Sequence, residues 1–163
     1  IIMNNKTVGD VLVIDGNRKH PVLDLAFNTS PEPGLYDVLG KNASHSDAIF
    51  KVGESNVNIM PCGTRMALDS SEIAQESLLN LIAQLRNQYR HVLIDSAPML
   101  ASSDSLALAI GSDVTSLIIQ VNITKWEVAE KTKRILQDNH CVIGGIVLNR
   151  ITHVIPKWIY RKT

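Results

Sequence analysis

Apolar residues in this chain gather into short runs fenced by turn and helix signals. Five runs read as strands: residues 11–15 (VLVID), 57–61 (VNIMP), 91–95 (HVLID), 114–121 (VTSLIIQV) and 141–148 (CVIGGIVL). Several are continuous rather than alternating, the pattern of strands covered on both faces in a mostly parallel sheet. Helical spacing fills the intervals between them. Across 70–89, Ala74, Leu78, Ile82, Leu85 and Tyr89 fall on one helix face, with Asp69 and Glu72 in N-cap and N3 positions. A second helix is predicted to open on the capping box Thr124-Lys125-Trp126-Glu127 and to bury Val128, Thr132, Ile135 and Leu136. A third starts at Ser103-Asp104 and carries Leu106, Leu108 and Ile110. Residues 28–56 are loop-rich, with short helices predicted around 35–39 and 47–50. Strands alternating with helices in this way form βαβ units, so the fold class is α/β: a doubly wound, mostly parallel sheet flanked by helices.

Composition narrows the function classes more than it changes the fold. The 163 residues suit one domain, and 45% hydrophobic with 20% charged residues excludes disorder as the default state. Sixteen Lys and Arg balance sixteen Asp and Glu, so no global charge pulls the chain towards nucleic acid or an anionic membrane. Aromatic residues, at 4%, are too few for a base-stacking surface. Cys62 and Cys141 form no CxxC pair and read as partly buried thiols of a reducing compartment. The five histidines are scattered without the i, i+4 pairing of a zinc site, so no metal held by protein side chains alone is expected.

Candidate chemistry lies where strands end. Ligands of open parallel sheets bind at the carboxyl ends of strands. Two strands here end in an acid, VLVID at Asp15 and HVLID at Asp95. Adjacent in the sheet, they would place two carboxylates in one crevice, a donor set suited to Mg²⁺ with its waters and phosphate oxygens. The plainer reading of each Asp is a cap for the following turn or helix. Taken together, the two point to a nucleotide-metal site.

At these residues the chain resembles a family. VLVIDGNRKHP is similar to the Walker A′ segment of the bacterial tyrosine autokinases of exopolysaccharide and capsule synthesis, and NTSPEPGLYDVLG to the EPGLSDVL stretch that follows it. The run from NVNIMPCGT to SSEIAQESLLNLIAQLRNQYRHVLIDSAPML resembles the approach to the family's Walker B strand. SSDSLALAIGSDVTSLIIQV and IGGIVLNRI resemble its later strands and helices. The resemblance covers nearly the whole chain in order.

It implies a P-loop NTPase-like fold, ATP and Mg²⁺ as cofactors, and phosphorylation of tyrosines on neighbouring subunits of a ring. It also implies a membrane-embedded chain-length regulator as activating partner, with no nucleic acid involved. The location implied is cytoplasmic, on the inner face of the cell membrane. Asp15 then corresponds to the acid that orients or deprotonates the attacking hydroxyl, and Asp95 to the Walker B acid holding Mg²⁺ through water. Asn17 falls at the second Walker A′ acid. Asn149 falls where the family contacts adenine, though a strand-end Asn capping a turn reads equally well. Residues 1–150 form the kinase-like domain in this reading, and 151–163 a basic tail whose Tyr160 is the candidate phospho-acceptor.

The chain departs from the family at three places. The pattern D-x-D-x-R becomes Asp15-Gly16-Asn17-Arg18-Lys19, so the second acid loses its charge and the Arg loses its bidentate fork. The tyrosine cluster becomes one Tyr160 among Lys157, Arg161 and Lys162. No G-x-x-x-x-G-K-[ST] occurs in the 163 residues, which therefore lack the backbone cradle, lysine and hydroxyl that phosphoryl transfer uses. The chain starts at Ile1 without Met. The family's motif order leads us to expect that its first strand, phosphate loop and most of its first helix belong before that point. Without them the domain is expected to be inactive alone, a non-catalytic subunit. A partition or septum-site ATPase and a nucleotide-free interaction module are the alternatives.

Overall fold

The computed structural model describes residues 10–64 and 75–151. The chain forms two compact units, Ile1–Gly111 and Ser112–Thr163.

The first unit runs β1 (Val11–Gly16), α1 (Leu23–Phe27), α2 (Leu35–Leu39), β2 (Phe50–Lys51), β3 (Val57–Met60), α3 (Gln75–Gln88), β4 (His91–Ser96), a 3-10 turn (Met99–Ala101) and α4 (Ser103–Ile110). Its sheet has the order β2-β3-β1-β4, with β1 parallel to both neighbours and β2 an antiparallel addition at the edge. Alternation along β1 divides its side chains between two faces. Leu12 and Ile14 enter the larger core with Leu35, Tyr36, Met60, Leu78, Ile82, Leu85 and Leu108. Val11 lies on the other face with Val57 and Ile59, under the partly buried Leu23 and Phe27 of α1. Both faces of β1 are thus covered, as its continuous apolar sequence predicts.

Helix α2 begins at Gly34 because the backbone leaves no alternative. A Cβ there would run into the backbone of Pro61–Gly63. That close approach lets Leu35 N–H donate to Pro61 O (2.8 Å) and Tyr36 N–H to Cys62 O (3.0 Å), satisfying donors that a helix start leaves open. The buried Asp37 carboxylate completes the start, its Oδ2 accepting from Gly34 N–H (2.8 Å) and Thr64 N–H (3.0 Å).

The second unit contains β5 (Thr115–Gln120), α5 (Trp126–Asp138) and β6 (Ile143–Asn149), a parallel βαβ with an irregularity at Thr115/Ser116. Among the described residues, no helix is long and apolar enough to cross a membrane.

Several expectations change against these elements. The 70–89 helix is seen over Gln75–Gln88 with Leu78, Ile82 and Leu85 buried, whereas Asp69, Glu72 and Ala74 lie outside the described residues. Residues 45–48 turn without forming the helix placed at 47–50, and Phe50–Lys51 instead adds a short strand to β3. Helix α1 was not predicted, because five residues are too few to display a period. The capping box at Thr124 does not form. Lys125 is the N-cap, and Thr124 Oγ1 accepts from Gln120 N–H (3.2 Å), closing the turn after β5. Of the stripe placed on α5 only Leu136 is buried; Val128 is exposed, and Thr132 Oγ1 donates to Val128 O. Two strands and one helix are too little structure to bury four positions. The cover predicted for both faces of every continuous run also fails at β4, β5 and β6, where Leu93, Ile118, Ile146 and Leu148 are exposed. Among the described residues β4 pairs only with β1, and β5 only with β6.

Candidate functional site

The parallel register of β1 and β4 pairs Val11 with His91 and, at the carboxyl ends, Asp15 with Asp95 and Gly16 with Ser96. Paired positions of adjacent strands project to the same face, and strands lie about 4.8 Å apart, so the two carboxylates share one environment. Gly16 makes this approach possible. A Cβ at that position would stand 2.8 Å from Asp95 O and 2.6 Å from Leu108 Cδ1.

The two acids are unlike. Asp15 is 1% exposed, and both of its oxygens are engaged by backbone. Oδ1 accepts from Asn17 N–H (3.0 Å), and Oδ2 from Val22 N–H (2.9 Å) and Leu23 N–H (3.0 Å) at the start of α1. The carboxylate therefore organises the 17–23 loop and caps the short helix after it. Asp95 is exposed. Partial desolvation, and then the charge of Asp15, raise its pKa above the ordinary carboxylate value, with the Ser96 N–H opposing.

Asn17 keeps the shape expected of the second acid. Its Oδ1 accepts from His20 N–H (3.2 Å) and, with His20 N–H to Asn17 O (3.1 Å), closes the turn. A turn of this kind needs an oxygen and not a charge. Both cations after it point towards residues 99–104: the Lys19 ammonium donates to Ala101 O, and Arg18 lies 3.1 Å from Asp104 Oδ2. The hydroxyl of Tyr36 donates to Gly16 O (3.0 Å) and to the same Asp104 Oδ2 (3.2 Å), one proton serving two acceptors. Burial, reinforced by the Asp104 charge, pushes the Tyr36 phenol far above its usual pKa. Ser105 Oγ donates to Ala97 O (2.7 Å), tying the start of α4 to the end of β4 as well.

Asp15, Asn17 and Asp95 are thus brought together in the first unit. Asn149 ends β6 in the second, exposed, with its Oδ1 accepting from Arg150 N–H (2.8 Å), and Arg150 has a φ of 54°. Tyr160 lies outside the described residues. Among the described residues no three His, Cys, Asp or Glu side chains form a metal cluster. Sequence reasoning missed Tyr36 and Asp104. Asp104 reads from sequence as a helix-start residue, and the signal it carries beyond that is its burial, which local sequence does not display.

No protein-family model matches the chain. It is 26% identical over 86% of its length to a tyrosine-protein kinase, Ptk, of Acinetobacter johnsonii, and covers 19% of that protein. The chain spans between 19% and 65% of the length of the curated relatives it matches. Its structure superposes on the MinD cell-division ATPase of Pyrococcus furiosus with a TM-score of 0.70 and 23% identity, over 90% of this chain and 63% of that one, a likeness of fold alone. The kinase domain of VpsO superposes with a TM-score of 0.75 and 30% identity, over 88% of this chain and 71% of that domain. With the tyrosine-kinase relatives, that match places the chain in its family: it belongs to the bacterial tyrosine-protein kinases.

Proposed function

We propose that this chain carries the acidic half of the ATP·Mg²⁺ site of a tyrosine kinase serving polysaccharide synthesis or export. The observation that carries the reading is the register pair Asp15–Asp95 at the carboxyl ends of adjacent parallel strands. Mg²⁺ is held by one or two carboxylates together with waters and substrate phosphates. The residues present fit that demand in one way. Asp95 is exposed and raised in pKa beside a second acid, so a cation relieves it, whereas the oxygens of Asp15 already accept three N–H groups. Asp95 is the ligand in this reading, and bound Mg²⁺ would neutralise charge on the transferred phosphoryl group. Asp15 orients the attacking hydroxyl, and a proton-accepting role asks the 17–23 loop to release one N–H bond. Asn149 faces adenine, and Tyr160 accepts phosphate from a neighbouring copy in a ring. A membrane-embedded chain-length regulator activates the assembly and holds it at the inner face of the membrane.

The phosphate cradle is not among these 163 residues. Calorimetric titration of the chain with ATP·Mg²⁺ is therefore expected to show binding no tighter than about millimolar, because positioning and electrostatic stabilisation of the phosphates are the bulk of the chemistry. Micromolar binding overturns the dependence on a separate cradle. The kinase reading is tested by mass spectrometry of Tyr160 from the native cell. Phosphate on Tyr160 that disappears in Asp95→Ala supports it, and an unmodified Tyr160 under kinase-active conditions sinks its acceptor role. The engagement of both Asp15 oxygens, with the neutral Asn17, favours one second reading: a non-catalytic subunit that docks in the ring and transfers no phosphate.

A further inference from the structure

The residue after Asn17 has no assigned role in the family pattern, yet Arg18 is the most connected side chain of the loop. Its guanidinium sits 3.1 Å from Asp104 Oδ2 and 4.9 Å from the centroid of the Tyr36 ring. Asp104 is 3% exposed and Arg18 25% exposed, so the pair is sheltered on the carboxylate side and open on the other. Tyr36 joins the same Oδ2 to Gly16 O. One cluster therefore links the end of β1, the loop after it, α2 and the first turn of α4.

We infer that Arg18 is a positioning residue, which clamps the loop after β1 onto α4 through Asp104 and the Tyr36 ring and so holds the N–H donors of that loop on the Asp15 carboxylate. Three considerations support it. A buried carboxylate is tolerated only when paired, so Asp104 holds Arg18 in place. A planar guanidinium can pair with the carboxylate and lie over the ring at once, which an ammonium does less well. Only Gly16 and Asn17 separate Arg18 from Asp15, and Asn17 N–H donates to Asp15 Oδ1 at 3.0 Å, so displacing Arg18 displaces a donor to the acid. Tyr36 stands where the resembled stretch has Ser. That departure lies in contact with Arg18, and the two residues act as one device.

The clamp stands on geometry alone, and its consequence for a cation rests on the ATP·Mg²⁺ reading above. The experiment separates the two. Amide hydrogen exchange is measured on the full chain and on Arg18→Leu, Arg18→Lys and Asp104→Asn. In Arg18→Leu the amides of Asn17, Val22 and Leu23 are expected to exchange at least about tenfold faster, while those of Leu81 and Leu85 in α3 stay unchanged, the signature of local opening. Arg18→Lys restores part of the protection, and full restoration overturns the role given to the ring. Unchanged protection of the three loop amides in Arg18→Leu overturns the clamp. If Arg18→Leu loses α3 protection as well, Asp104→Asn, which keeps the shape and removes the charge that pairs with Arg18, decides. Faster exchange confined to residues 17–23 supports the clamp, and none overturns it. Mn²⁺ titration forms the second arm. With the clamp, Arg18→Leu weakens Mn²⁺ binding severalfold while the α3 amides stay protected. A wild-type chain that binds no Mn²⁺ defeats the cation reading and leaves the exchange result to stand by itself.

Discussion

Asp15 and Asp95 occupy the same position of two adjacent parallel strands, one sealed by three backbone N–H groups and the other open to solvent. The sealed charge acts on the open one, adding to its desolvation and raising the Asp95 pKa. A carboxylate whose folded pKa is raised binds its proton more tightly in the folded chain than in the unfolded one. The contribution of Asp95 to stability is then greatest with Asp95 protonated and falls as pH rises from the ordinary carboxylate range through the raised value. Asp95→Asn removes this penalty. Its melting temperature is expected to exceed that of the wild type at neutral pH, and the difference should vanish in acid, where Asp95 is itself neutral. Thermal melts of both proteins from about pH 3 to pH 7 read the effect.

Gly16 is predicted to tolerate no side chain. Its Cβ would meet a backbone oxygen of β4 at 2.8 Å as well as Leu108 Cδ1, and the backbone has no room to yield. Gly16→Ala should cost about 1–3 kcal/mol, the range for overpacking a filled interior. Urea denaturation gives the number, and a loss within error of zero would show that β1 and β4 are less closely set than described.

The start of α2 depends on one carboxylate. Removing Asp37 orphans the Gly34 and Thr64 N–H groups together. Asp37→Ala is expected to destabilise by about 2–3 kcal/mol, as for hydrogen bonds to a buried charged acceptor. Asp37→Asn, which keeps one acceptor oxygen, should lose less. A rank order reversed between the two variants would contradict the capping role.

Core and surface should respond in opposite ways to truncation. Leu85 is fully buried in the larger cluster, so Leu85→Ala should cost about 2–5 kcal/mol through lost burial and a residual cavity. Ile118 is 69% exposed on β5, and Ile118→Thr should change stability by no more than about 0.5 kcal/mol. Paired denaturation curves on the two variants make the comparison.

How far the sequence displayed this structure depends on what each feature needs. The runs at 11–15 and 91–95 announced β1 and β4, because a continuous apolar run followed by an acid is a local signal. The 3.6-residue spacing of Leu78, Ile82 and Leu85 displayed α3 for the same reason. Where the outcome depended on distant partners, local patterns failed. The stripe on α5 carries helical spacing but finds cover only at Leu136, and the Thr124 hydroxyl was taken by the preceding turn instead of the helix start. The candidate site followed the same division. Asp15 and Asp95 were legible as strand ends, while the bonds that occupy Asp15 come from residues 17–23 folding back, which no spacing reveals. Arg18, Tyr36 and Asp104 lie on three elements up to 86 residues apart in sequence and meet only in the fold.

The shared register of β1 and β4 makes the lengths of those two strands a joint property. Side chains along a strand alternate faces, so a single residue inserted ahead of Asp15 would turn that acid to the opposite side of the sheet and set Ile14 opposite Asp95. The same insertion ahead of Asp95 as well would pair the two acids again, but on the opposite side of the sheet and with β1 out of step with β3. The inner strand is held from both edges, so any change in its length has to be made in steps of two residues and matched in β3 and β4 alike.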